Sequence, residues 1–88
     1  QEADLQGADL QQADMNGARM SVSDLKEANL AGADMRNADV WMSDMTDANL
    51  EGTDLRGVDL TDVTGLTSGQ LSRAVTDEKT KLPSSLAS

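Results

Sequence analysis

The chain has 88 residues with 16 acidic and 7 basic side chains, a formal net charge of -9, no cysteine, no histidine and one aromatic residue, Trp41. That length holds one small domain, and the missing residue types exclude a disulfide frame, a thiol nucleophile, a histidine base and Cys or His metal ligands. The negative charge disfavours direct binding to a phosphate backbone or an anionic leaflet, and the longest apolar run, Val40-Trp41-Met42, is far too short to cross a membrane.

From the first residues onward a large aliphatic side chain recurs every fifth position: Leu5, Leu10, Met15, Met20, Leu25, Leu30, Met35, Val40, Met45, Leu50, Leu55 and Leu60. Two residues before each stands a small one, from Ala3 and Ala8 through Ser23 and Ser43 to Thr53 and Val58. Between them lies a polar residue, Asp at nine places and Asn29, Asn49 or Arg19 at the others, so the unit reads A-(D/N)-L-x-x. An α-helix would scatter a period of five around its circumference, and a flat strand would invert the face at every repeat. Both conflicts disappear if A-D-L is a short extended piece, pointing in, out and in, and the next two residues turn a corner. Gly7, Gly17, Gly32, Gly52 and Gly57 all occupy the second x, joined there by Asn37, Asp47 and Asp62, residue types that tolerate a positive φ.

A longer period sets the number of sides. Ser21-Val22-Ser23-Asp24-Leu25 returns as Trp41-Met42-Ser43-Asp44-Met45, and Lys26-Glu27-Ala28-Asn29-Leu30 returns as Thr46-Asp47-Ala48-Asn49-Leu50. Twenty residues therefore make one lap of four sides, and residues 1–60 supply three laps, a prism on the order of 15 Å tall at about 4.8 Å per lap. The run A-D-L-Q-G-A-D-L and its continuation resemble the pentapeptide-repeat family over about two thirds of the chain. The resemblance implies an all-β solenoid, a right-handed quadrilateral β-helix of three 20-residue coils with a short C-terminal capping α-helix. Many members carry Phe at the central position where this chain has Leu, Met or Val, and the four inward residues Met15, Met20, Met35 and Met45 imply a more flexible core of the same fold.

Residues 1–64 are thus read as the repeat β-helix, 65–83 as a capping helix and tail, and 84–88 as a flexible tail. The helix signal is Thr67 as N-cap with Gln70 three residues on, and Leu66 against Leu71 as a hydrophobic staple. The helix is expected to run to about Asp77 with Leu71, Ala74 and Val75 on one apolar face, closing the last lap. At the other end the repeat starts within two residues of Gln1, so the lap of Leu5, Leu10, Met15 and Met20 is expected to meet an upstream segment, a second copy or a partner.

Stacking by twenties places Asp4-Asp24-Asp44, Asp14-Asp34-Asp54 and Asp9-Asn29-Asn49 in columns. Their spacing is that of the coil and recurs on several sides, so these acids are read as solvated or bonded to turn backbone, not as a catalytic pair or a metal site. Arg19 is expected to pair with Asp39 on the next lap, and Arg36 and Arg56 to neutralise neighbouring acid columns. Residues 1–62 hold 14 acids and 4 bases, net -10, whereas 63–88 hold 2 acids and 3 bases, net +1. Against that acidic wall Val22 and Met42 occupy equivalent corner positions with Trp41 alongside, an apolar patch of the kind that anchors interfaces.

The sequence accordingly reads as a non-enzymatic structural or protein-interaction module, with no cofactor, no metal, no catalytic residue and no small-molecule substrate. Trp41, Met42 and Val22 are its expected partner-binding residues, and the occupant is a protein partner or a second copy. The alternative, implied by the family, is an acidic mimic of B-DNA that binds DNA gyrase or topoisomerase, the kind that confers fluoroquinolone resistance. The resemblance also implies a bacterial cytoplasm or a thylakoid lumen as the compartment, and a start at Gln1 suits a processed lumenal chain or a piece of a longer one.

Overall fold

The computed structural model describes residues 3–83 and Leu86. The expected tail at 84–88 therefore lies outside the described residues except for Leu86, whose N–H donates to Pro83 O. The chain winds as a β-helix measuring 30 × 22 × 21 Å. Its polar positions pair in parallel with the residue twenty further on: Asp4 with Asp24 and then Asp44, Asp9 with Asn29 and then Asn49, Asp14 with Asp34 and then Asp54, and Arg19 with Asp39. Each side is only one bridge wide, because the chain turns again before a longer ladder can form.

Two devices make each corner. The first x residue donates its N–H to the side-chain Oδ1 of the polar residue two before it, at Asp4, Asp9, Asp14, Asp24, Asn29, Asp34, Asp39, Asp44, Asn49, Asp54 and Asp59. A short side-chain carbonyl or carboxylate closes this Asx turn best, which is why the polar position is mostly Asp or Asn and not merely hydrophilic. Arg19 is the exception in sequence, and it lies opposite Asp39 on the next lap. The second x residue then takes a positive φ, from 57 to 76° at Gly7, Gln12, Gly17, Val22, Glu27, Gly32, Asn37, Met42, Asp47, Gly52 and Gly57. Asp62, expected to do the same, does not.

The in-out-in reading of each triplet matches the burial. Leu25, Leu30, Met35, Met45, Leu55 and Leu60 are fully buried, Val40 and Leu50 nearly so, and Ala28, Ala33 and Ala48 pack beside them. Where a hydroxyl replaces alanine it bonds to backbone of the neighbouring lap: Ser43 Oγ donates to Met20 O, and Thr53 Oγ1 donates to Leu30 O at 2.7 Å. No buried side-chain polar atom lacks a partner among the described residues, so these hydroxyls cost little to bury. Leu5 and Leu10, in the first lap, are only partly buried.

Beyond residue 60 the pairing continues: Asp44 meets Thr64, Asp54 meets Val75 and Asp59 meets Lys81. The side between Thr64 and Val75 is interrupted by α1, Ser68–Arg73, with the capping box between Thr67 and Gln70 in place. Gln70 does more than cap. Its Nε2 donates to Met45 O at 2.9 Å and Ala48 O at 3.0 Å, and Ala48 O is the carbonyl that a further lap would have engaged. The helix ends four residues earlier than the expected Asp77, because Ala74 turns extended at ψ 164° and Val75 enters the ladder, donating to Thr53 O and accepting from Leu55 N–H at 2.8 Å each. Leu71 and Ala74 pack on the core, whereas Val75 is 43% exposed and belongs to the polar column instead of an apolar helix face.

Candidate functional site

The acid columns are occupied structurally. Arg36 and Arg56 interleave with two of their carboxylates: Arg36 Nη2 lies 2.8 Å from Asp34 Oδ2, Arg36 Nε lies 3.5 Å from Asp54 Oδ2, and Arg56 Nη2 lies 2.7 Å from that same oxygen. No cluster of acids among the described residues has the arrangement of a metal site. The Arg36 hydrogen bonds hold the Asp34 carboxyl well below its ordinary range, those of Thr46 lower Asp44, those of Arg56 lower Asp54, and those of Thr61 lower Asp59. Every carboxylate with a resolved shift is lowered, so linkage has one sign. The stabilisation is complete above pH about 4 and is lost as pH falls through the lowered folded values. The urea midpoint should fall steadily from pH 4 to pH 2, and a midpoint that rises there would contradict these assignments.

Trp41, Met42 and Val22 stand together on one corner, 53%, 52% and 47% exposed, the side chains of an apolar patch. Val22 N–H donates to Trp41 O at 2.7 Å, which fixes the two laps side by side. Both Val22 (φ 57°) and Met42 (φ 58°) take the left-handed conformation that glycine fills at other corners. A β-branched residue there costs roughly 1–2 kcal/mol. Val22→Gly should therefore stabilise the chain by about 0.5–1 kcal/mol after the entropy of the added glycine is set against the relieved strain. Thermal unfolding checks this, and a lower Tm would show that the Val22 side chain packs more usefully than its exposure implies.

Trp41 is oriented by a contact absent from the repeat pattern. Its indole Nε1–H donates to Asp62 Oδ2 at 2.9 Å, and its backbone N–H donates to Asp39 Oδ1 at 3.2 Å. Beside the ring lies an open groove of about 400 Å³ lined by Ser21, Ala38, Asp39, Val40, Trp41, Asp59 and Asp62. Asp62 and Asp59 were missed as site residues by sequence reasoning. The available signal was that Asp62 falls 21 positions after Trp41, one lap plus one residue, within reach of a long side chain leaning along the column.

The groove coincides with a break in the ladder. One lap earlier this side is fully paired, with Gly17 N–H to Arg36 O, Asp39 N–H to Ala18 O, Met20 N–H to Asp39 O and Val22 N–H to Trp41 O. The corresponding bonds between Asn37–Met42 and Arg56–Thr61 are all absent. Pairing resumes beyond, where Leu60 N–H donates to Lys81 O and Lys81 N–H to Val58 O. The interior stays shut behind the break, for Val40, Val58 and Leu60 are at most 1% exposed.

The Pentapeptide repeats family matches in eight copies, over residues 3–41 and 23–62. Among solved structures, alr5209, a pentapeptide repeat protein from Nostoc Pcc 7120, superposes with a TM-score of 0.54 at 30% identity, covering 94% of this chain and 72% of that one. Rfr23, a pentapeptide repeat protein from the cyanobacterium Cyanothece 51142, aligns with a TM-score of 0.44 at 26% identity, over 92% of this chain and 61% of that one. No curated protein matches. The five-residue unit, the four-sided winding and the family match agree: the chain belongs to the pentapeptide-repeat family and folds as its right-handed β-helix.

Proposed function

We propose that this chain is a non-enzymatic protein-interaction module, a rigid prism that docks on a protein partner through the corner of Trp41, Met42 and Val22. The observation that carries this reading is the exposure of those three side chains together on a wall otherwise built of charged and polar residues. Large apolar side chains in one spot of a small acidic surface mark an interface, and an aromatic fixed by its own hydrogen bond loses little entropy on binding. Residues 65–83 act as the cap of the coil: Gln70 engages the open carbonyls of the third lap, and the Val75 and Lys81 bridges extend the ladder.

Co-purification from native extract tests the reading. The wild-type chain should retain a partner at about 0.5 M salt, where the Debye length is only a few ångströms, and Trp41→Ala should lose it by at least about 2 kcal/mol of binding. A partner retained equally by both forms would overturn the assignment of the corner. The acidic walls favour one other reading, a mimic of duplex DNA, for which the 22 × 21 Å cross-section is suitable. Its long axis of 30 Å covers less than one turn of B-DNA, about 34 Å, so a single copy is a short mimic. That reading expects gyrase or topoisomerase as the partner, release by salt and indifference to Trp41→Ala.

A further inference from the structure

The break in the ladder leaves eight backbone groups without a backbone partner on the side where Trp41 stands. They are the N–H groups of Asn37, Val40, Met42 and Asp59 and the carbonyls of Ala38, Arg56, Asp59 and Thr61. Backbone groups at the edge of a packed core are otherwise paired almost without exception, so an unpaired stretch four bonds long, whose two middle bonds at Ala38, Val40 and Asp59 line the groove, marks a place where something else can bond. The corresponding stretch one lap earlier is intact, so the break is local to this side of the second and third laps.

The lining narrows the chemistry of the occupant. Asp39, Asp59 and Asp62 contribute three carboxylates, and no basic side chain lines the groove. Arg19, opposite Asp39 on the preceding lap, and Lys81, opposite Asp59 on the far lap, offset part of that charge from outside it. Asp59 Oδ1 is taken by the N–H and Oγ1 of Thr61, and Asp62 Oδ2 by the Trp41 indole, so each carboxylate is held in place while its other oxygen stays available. The open carbonyls of the lining residues Ala38 and Asp59 add two acceptors in the same place, against the two open N–H groups of Val40 and Asp59. A site rich in acceptors, negatively charged and walled by an indole fits a planar cation with several N–H donors, and guanidinium supplies five in one plane together with a face that stacks on Trp.

We infer that the groove beside Trp41 receives an arginine side chain of the partner protein, bonded by the open carbonyls of Ala38 and Asp59 and the Asp39, Asp59 and Asp62 carboxylates and stacked on the indole. This rests on the interaction reading above and supplies its missing chemistry: the apolar corner anchors the partner, and the adjacent groove selects for arginine. An ammonium group would satisfy the charge but neither the stacking nor the several acceptors, and a neutral side chain would leave the carboxylates unmatched.

The test uses the intact chain and its single tryptophan as reporter. Short peptides of the form acetyl-Gly-X-Gly-amide, with X as arginine, lysine or citrulline, are titrated while Trp41 emission and the amide resonances of Val40, Met42 and Asp59 are followed. The arginine peptide should give a saturable change at all of these, at least about tenfold tighter than citrulline and tighter than lysine. Asp39→Asn and Asp62→Asn keep the side-chain oxygen that accepts from Trp41, so both should fold, and each should weaken the arginine peptide severalfold. Asp14→Asn, on another side of the prism, should leave it unchanged. Equal binding of arginine and citrulline, an equal loss with Asp14→Asn, or no saturable response would overturn the inference. If the arginine peptide fails while Trp41→Ala still releases the full partner, the corner stands as an interface and only the arginine chemistry falls; if Trp41→Ala affects neither, both fall.

Discussion

Gly65→Ala should destabilise this protein by about 3 kcal/mol, a large share of the roughly 5–15 kcal/mol that holds a small domain together. Gly65 sits at φ 80°, and a methyl group added there would meet Thr46 Oγ1 in direct overlap, with Thr46 N at 2.7 Å and Thr46 Cα at 2.8 Å. Two costs add: the left-handed backbone, roughly 1–2 kcal/mol for a residue with a Cβ, and overpacking against backbone that cannot rotate away, roughly 1–3 kcal/mol. This is the point where the chain leaves the regular repeat for α1, and its close approach to the preceding lap lets Thr64 bridge Asp44. Gly69→Ala is the control, since that glycine lies inside α1 with nothing nearer than Thr67 Oγ1 at 3.8 Å. It should be neutral or slightly stabilising, as alanine favours helix by up to about 1 kcal/mol. Urea unfolding of the two variants side by side decides the matter, and similar midpoints would show that the Gly65 turn relaxes more easily than its contacts indicate.

Leu55→Ala should cost about 2–5 kcal/mol, because Leu55 is fully enclosed and each lap is supported only by its neighbours above and below. Its backbone also joins the third lap to Val75, by Leu55 N–H to Val75 O, and its carbonyl accepts from Thr80 Oγ1 at 2.9 Å. A cavity beneath that junction should therefore loosen the residues after α1 as well. Leu5→Ala removes the same side chain from a partly buried place in the first lap and should cost clearly less. The comparison by urea denaturation, with hydrogen exchange at Val75 and Lys81 as a second readout, would contradict this if the two variants were equally destabilised.

Much of this molecule is written in periods. The five-residue spacing from Leu5 to Leu60 named the buried side chains, and the twenty-residue recurrence named the partners in the bridges among the first three laps, Asp39 with Asp59 excepted, because a side chain pointing inward and a corner after it are local properties of five residues. Thr67 and Gln70 likewise announced their capping box, which needs only three intervening bonds of chain. The exposed corner of Val22, Trp41 and Met42 was legible for the same reason: apolar residues stood at positions the period assigns to the outside.

Other features depend on how one lap lies on the next. The carboxylate role in the corners was only half visible, since a column of acids looks the same whether solvated or closing Asx turns. The helix pattern of Leu71, Ala74 and Val75 misled because Val75 gains more from two backbone bonds with Thr53 and Leu55 than from another helical turn. The contact of Trp41 with Asp62 had only a 21-residue spacing to announce it, and the break between Asn37–Met42 and Arg56–Thr61 that opens the groove has no sequence signature, because the triplets on both sides of the break obey the repeat as well as any others. By itself the sequence determined which residues point inward, where the chain turns and which positions share a column. The stacking of complete laps alone decided which of those columns close their hydrogen bonds, since that depends on spacings between residues twenty apart that the local period does not encode.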